Sequence, residues 1–235
     1  MIGWYDSDLG RYALQREQAW FDAVSGDLFG FVAVQVGGCD IDFLRANRMP
    51  HRYRVCPRAG HVRAGAEELP FDGQSLDLLA LPHALEFAEH PHQVLREAER
   101  VLRPEGRLLI SGFNPRSLWG LQRTLRGARA PYPWHGRFLT LTRLKDWLAL
   151  LGFELAGGRM ACYAPPINRM AWLSRFALLE AAGDRWWALG GGVYLLHAVK
   201  RVHGMRIIAP RWDTGWRTRA TFAQPTRNSS KIASP

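Results

Sequence analysis

Four short stretches carry residues whose type and position bear on chemistry. Gly37-Gly38 follows the apolar run FVAVQV, and Ala66-Glu67-Glu68 precedes Leu-Pro-Phe. His83 follows LDLLAL, and Asn114 follows RLLIS. A histidine just past a buried strand suits a general base, because its ordinary pKa lies close to neutrality. Asn114 suits either a ligand contact or a turn cap, and both readings stay open. His90 and His92 flank a helix start and read as exposed cap-region residues. Their spacing with His83 matches no zinc pattern, so no metal site is expected.

The elements that must position these residues follow from periodicity. Leu76–Leu81 is nearly all apolar after the turn signal Asp72-Gly73, as expected of a strand covered on both faces. Pro91 suits a first helical position, and Val94, Leu95, Ala98, Val101 and Leu102 form one apolar stripe, which predicts a helix over 91–102. Arg103-Pro104-Glu105-Gly106 ends it, and Arg107–Ser111 reads as another buried strand. Strand, helix and strand with short connections make a βαβ unit with parallel strands. Upstream, Asp8–Val24 reads as an amphipathic helix with Leu9, Tyr12, Ala13, Trp20, Ala23 and Val24 on one face, interrupted by Arg16. Phe31–Val36 and His51–Cys56 read as the first and second strands. Downstream, Ser117–Arg129 reads as a basic helix, and Thr142 as the cap of a helix ending at Gly152. Phe153–Tyr163 and Gly190–Arg201 read as the last two strands.

The run AEELPF…SLDLLALPHALEF…EAERVLRPEGRLLISGFNP resembles the second half of a class I S-adenosylmethionine-dependent methyltransferase, in the group that includes small-molecule and quinone C-methyltransferases. Ala66–Pro115 carries most of the likeness. The resemblance implies a Rossmann-like α/β fold: a seven-stranded sheet with helices on both faces. It also implies S-adenosylmethionine as cofactor, held around Gln35, Gly37, Gly38, Ala66, Glu67, Leu81 and His83. No universal catalytic residue is implied, because positioning an activated donor can itself drive methyl transfer.

Three positions depart from the resemblance. Gln35 stands where an acid is usual, and one glycine of the glycine-rich turn is lost. The second strand ends in Val55-Cys56-Pro57-Arg58, without the carboxylate that grips ribose hydroxyls in such folds. Gly65 replaces the acid expected beside Ala66. Asp40 or Asp42 is a candidate substitute for the first of these. Only Pro57–Gly60 separates the second and third strands, so the second crossover helix is expected to be shortened or missing.

Length and composition fit these expectations. The 235 residues, 47% hydrophobic, suffice for one sizeable core. Three widely spaced cysteines suggest neither a disulfide framework nor a metal knot, and so a reducing compartment. The start MIGWYDSDLGRYALQREQ lacks the pattern of a signal peptide, and no apolar run approaches the ~20 residues of a membrane helix. The expected location is the cytoplasm. The net charge of +10 is uneven: residues 111–145 hold seven basic and no acidic residues, and 200–235 hold eight basic and one acidic. That asymmetry fits an anionic partner (nucleic acid, a phosphate-bearing substrate or a membrane surface), or else arginines that simply solubilise the surface and a loose tail. The organisation expected is an N-terminal helix over 1–26, a methyltransferase-like domain over 27–205 and a basic disordered tail over 206–235. Within the domain, 164–189 reads as an aromatic insertion that caps an apolar ligand, touches lipid, or packs on its own core. Two functions follow: methyl transfer to a small or lipophilic acceptor, or a non-catalytic domain of this fold that binds a partner or nucleic acid through its basic surface.

Overall fold

The computed structural model describes residues 2–58, 60–127, 129–169, 173 and 190–201. Nearly all of the expected insertion at 164–189 that lies beyond residue 169, and the whole expected tail at 206–235, fall outside the described residues. In chain order the elements are α1 (Ile2–Tyr5), α2 (Asp8–Gly26), β1 (Val32–Val36), β2 (His51–Val55), β3 (Leu76–Pro82), α3 (Pro91–Val101), β4 (Leu102–Phe113), α4 (Leu118–Arg126), α5 (Leu141–Leu150), β5 (Phe153–Ala161) and β6 (Val193–Lys200).

The described strands form one sheet in the order β2-β1-β3-β4-β6-β5. The first four are parallel, and β6 runs antiparallel between β4 and β5. Helices cover both faces, and strand alternation sorts the side chains between them. Val34, Val36, Leu79, Leu81, Leu108 and Ile110 pack with residues of α3 and α5. Ala33, Leu78, Ala80 and Leu109 pack instead against Phe21 of α2 and the loop residues Phe43 and Leu44.

The Rossmann-like fold is present, with six strands among the described residues where seven are expected. The expected third strand is reduced to one parallel bridge between Val55 and Val62, because the short link from β2 leaves no room for a helical crossover. The first crossover is irregular as well: residues 37–50 form turns with no α-helix. Leu102 belongs to β4, and Arg103–Gly106 interrupt the pairing rather than precede the strand, since Leu76 pairs with Leu102 and Leu78 with Arg107. Asp77 sits opposite this bulge. Its carboxylate accepts the amides of Phe31 and Val32 at 2.8 and 2.9 Å and meets Arg103 at 2.9 Å, fixing the start of β1.

Helix termini correct three further expectations. Thr140, not Thr142, caps α5, accepting from the Arg143 amide. Ser117 is the cap of α4, which stops at Arg126 before Gly127. In α2, Ala23 is exposed, while Leu9, Ala13, Glu17 and Phe21 form a buried stripe at four-residue spacing.

Cys39 and Cys56 are disulfide-bonded, and Cys162 is a buried free thiol. The expectation of unpaired cysteines is therefore overturned. Parallel pairing of β1 with β2 ends both strands side by side, which brings the two Cα atoms to 5.9 Å. The cysteine count no longer argues for a reducing compartment. Among the described residues no helix is long and apolar enough to cross a membrane.

Candidate functional site

From β1 the chain moves outward to β2, then returns to the other side of β1 to form β3. Such a reversal opens a crevice beyond the carboxyl ends of the strands. A cavity of about 740 Å³ lies there. Its walls come from the ends of β1 and β2 (Val36, Gly37, Val55), the segment after β3 (His83, Ala84, Phe87) and the loop from Ala64 to Pro70.

Each wall has a local cause. Gly37 and Gly38 hold φ values of +89° and +55°, and a Cβ at Gly37 would stand 3.0 Å from the Pro82 carbonyl oxygen. Glycine adopts these positive φ values without strain, which keeps the turn in place at the cavity wall. The loop wall is clamped from α3. Glu97 accepts the Leu69 amide at 3.0 Å, and Arg100 donates to the carbonyls of Leu69 and Phe71. Arg100 also bonds Glu97, which is the main reason the Glu97 carboxyl is held below its usual range. Glu67 accepts the His90 amide at 2.7 Å and ties the same loop to the start of α3.

Of the residues expected at the cofactor, Gly37, Ala66, Glu67 and His83 line this cavity, and Gly38 sits in the turn beside it. Gln35 and Leu81 are fully buried and do not line it. Leu81 points into the core shared with α3, as strand alternation requires. Gln35 works on the loop instead. Its amide nitrogen lies within 3.2 Å of the carbonyls of Gly37, Gly38 and Ile41, and its oxygen accepts the Phe43 amide at 2.9 Å. Neither Asp40 nor Asp42 lines the cavity, and Asp42 caps the Leu44 amide.

His83 is placed differently from a general base. It is 2% exposed, with a φ of +49°, and its ring stacks on Phe113 at 4.1 Å. Nε2 lies 2.8 Å from Glu17 Oε1, and Nδ1 lies 3.1 Å from Glu86 Oε1. Burial alone lowers the imidazole's pKa, but the charges and hydrogen bonds of Glu17 and Glu86 outweigh it and push it up to about 10. Both ring nitrogens are engaged and the ring is held as imidazolium, so the expectation of a base poised near neutrality is overturned.

Sequence reasoning missed Glu17 and Glu86. Glu17 had a signal: it falls on the buried stripe of α2 between Ala13 and Phe21. Glu86 also accepts the Phe113 amide at 2.7 Å, while its Oε2 is buried with no hydrogen-bond partner among the described residues. Beyond Phe113 lies an aromatic group: Phe113 stacks on Trp119 and Phe138, and Phe87 meets Tyr132 at 4.9 Å. Burial is the main cause that raises the hydroxyl pKa values of Tyr5 and Tyr132, which stand 3.4 Å apart. Asn114 is buried, donating to the Gly191 carbonyl and accepting from the Arg116 amide, which fits the turn-capping reading. Part of the basic stretch is engaged with aromatic rings: Arg123, Arg126 and Arg143 lie over Phe138, Trp134 and Trp147. Among the described residues no group of His, Cys, Asp or Glu is placed to hold a metal ion.

Comparison with known proteins bears on the family and the fold. The family profile described as "Methyltransferase domain" matches residues 25–110. An uncharacterised Escherichia coli protein, YafS, is 37% identical over 151 residues, covering 63% of this chain and 61% of its own length. The chain thus spans about three fifths of that relative. An uncharacterised Mycobacterium bovis protein, Mb2026c, is 31% identical over 211 residues, covering 85% of this chain and 71% of its own. A crystal structure of an S-adenosylmethionine-dependent methyltransferase from Thermotoga maritima superimposes with a TM-score of 0.60 at 18% identity. It covers 84% of this chain and 93% of that one, a likeness of fold.

Proposed function

The chain belongs to the class I S-adenosylmethionine-dependent methyltransferase family, and on that premise we propose that it transfers a methyl group from S-adenosylmethionine to a small or lipophilic acceptor. The observation that carries this reading is the cavity at the strand reversal, with the Gly37-Gly38 turn as one wall. The residues present fit the cofactor. The Gly37-Gly38 turn and Ala66 present little side-chain bulk, Val36, Val55, Leu69 and Phe87 supply apolar walls, and Glu67 and Glu68 add carboxylates. When bound, the cofactor supplies an electrophilic methyl group on a sulfonium. The work of these residues is to bind it, orient it and exclude water.

The aromatic group around Phe113, Phe87 and Tyr132 lies beside His83 and supports an apolar or aromatic acceptor. Calorimetry and thermal shift with S-adenosylmethionine and S-adenosylhomocysteine test the reading. Binding in the micromolar range, about −8 kcal/mol, is expected. Transfer of a labelled methyl group to candidate quinols, phenols and amines would then identify the acceptor class. Absence of heat and of any melting shift at millimolar ligand would overturn the reading and leave the basic surface as the functional lead.

A further inference from the structure

The acids expected around the cavity are missing at Gln35, at the Val55–Pro57 end of β2 and at Gly65. The structure brings two others to the same edge from distant points of the chain. Glu17 on α2 and Glu86 after β3 grip His83 from opposite ring nitrogens, with side chains 0% exposed. His83 itself lines the cavity. Two carboxylates face one imidazole, so acids outnumber the base within the cluster. Among the described residues, the other groups in contact with it carry no formal charge. Ser111 Oγ stands 3.5 Å from Glu17 Oε2, the Phe113 amide bonds Glu86, and the buried hydroxyls of Tyr5, Tyr132 and Tyr194 feel the field of Glu86. Glu86 Oε2 is buried without a hydrogen-bond partner among the described residues.

We infer that the Glu17–His83–Glu86 cluster is the counter-charge for a cationic group bound in the adjoining cavity. This rests on the proposed function, in which that cation is the sulfonium of S-adenosylmethionine. A charge enclosed among apolar rings is poorly screened and acts over several ångströms, so direct contact with the ligand is not required. The arrangement adds a buried pair behind the wall to the carboxylates of Glu67, Glu68 and Glu89 in the wall itself. It therefore recognises charge rather than shape.

The test is calorimetry on the full chain with three probes: S-adenosylmethionine, S-adenosylhomocysteine, which has a neutral thioether, and sinefungin, whose amine replaces the sulfonium without a transferable methyl. Wild-type protein is expected to bind both cationic probes about tenfold tighter than the thioether. Glu17→Gln and Glu86→Gln keep the side-chain shape and are expected to lose about tenfold for the two cations while staying within about twofold for the thioether. Equal loss for all three probes would show a structural role and overturn the inference, with the methyltransferase reading intact. Should either variant fail to fold by circular dichroism, the combined change Glu67→Gln, Glu68→Gln and Glu89→Gln in the cavity wall decides: a preference for both cations that persists in it supports the inference, and one that vanishes there overturns it. Failure of wild type to bind any probe would overturn the inference together with the reading beneath it.

Discussion

Glu17 and His83 are 66 positions apart in the chain, yet Glu17 Oε1 and His83 Nε2 lie 2.8 Å apart in a fully buried contact. This pair joins α2 to the end of β3 and sets a pH signature. The folded pKa of His83, about 10, lies above its ordinary value of 6.5. The resulting stabilisation is fully present below about pH 6.5 and is lost as pH rises through about 10. Urea denaturation of the wild type is expected to show stability falling over that window, with the fall absent in His83→Gln. Glu17→Ala, which strips one partner from the buried imidazolium, is expected to cost about 3–5 kcal/mol at pH 6. A wild-type profile parallel to that of His83→Gln would contradict the assignment.

Gln35 stands where the resembling family carries an acid, so Gln35→Glu tests whether the cavity wants that charge back. A carboxylate can still accept the Phe43 amide but cannot donate to the carbonyls of Gly37, Gly38 and Ile41. The substitution is expected to destabilise by about 1–3 kcal/mol and to weaken S-adenosylhomocysteine binding. Thermal melts and calorimetry check both. Improved affinity with an unchanged melt would show that Gln35 meets the ligand directly.

Two glycines at the cavity give opposite expectations. Gly37→Ala forces a side chain into a φ of +89° with the Pro82 carbonyl 3.0 Å away. It is expected to cost at least about 1–2 kcal/mol and to lower affinity for S-adenosylhomocysteine. Gly65→Ala adds a Cβ that meets nothing within 4 Å and is expected to leave the melt unchanged. Similar behaviour of the two variants in melts would contradict the geometry of the turn.

The Cys39–Cys56 bridge closes a loop spanning 17 positions from the glycine turn to the end of β2. Reduction, or the double change Cys39→Ser with Cys56→Ser, is expected to destabilise by about 3 kcal/mol. Alkylation under denaturing, non-reducing conditions should label one thiol, Cys162. Three labelled thiols would show that the bridge does not form.

What the sequence made legible follows from how local each signal is. The β3–α3–β4 unit was readable because its apolar runs and the Pro91 start are local, and the structure keeps all three within a few residues. The motif AEELPF could be seen but not explained. Its stiffness comes from Glu97 and Arg100, one helix away, whose bonds to Leu69 and Phe71 no periodicity shows. The shortened corner was legible because a parallel crossover needs residues, and Pro57–Gly60 supplies too few. The disulfide was hidden, since it depends on β1 and β2 ending side by side. Glu17 was overlooked because an acid on an apolar stripe reads as an interruption until its partner, here His83, is known. His83 itself looked poised to titrate near neutrality, and two carboxylates that sequence spacing did not bring together removed that freedom.

The most direct test of the central claim is an amide-resolved NMR titration of the full chain with S-adenosylhomocysteine. Saturable shifts are expected at Gly37, Gly38, Ala66, Leu69 and Ala84, with little change along β5. No shifts at millimolar ligand, or shifts gathered on β5 and away from the strand reversal, would contradict that claim.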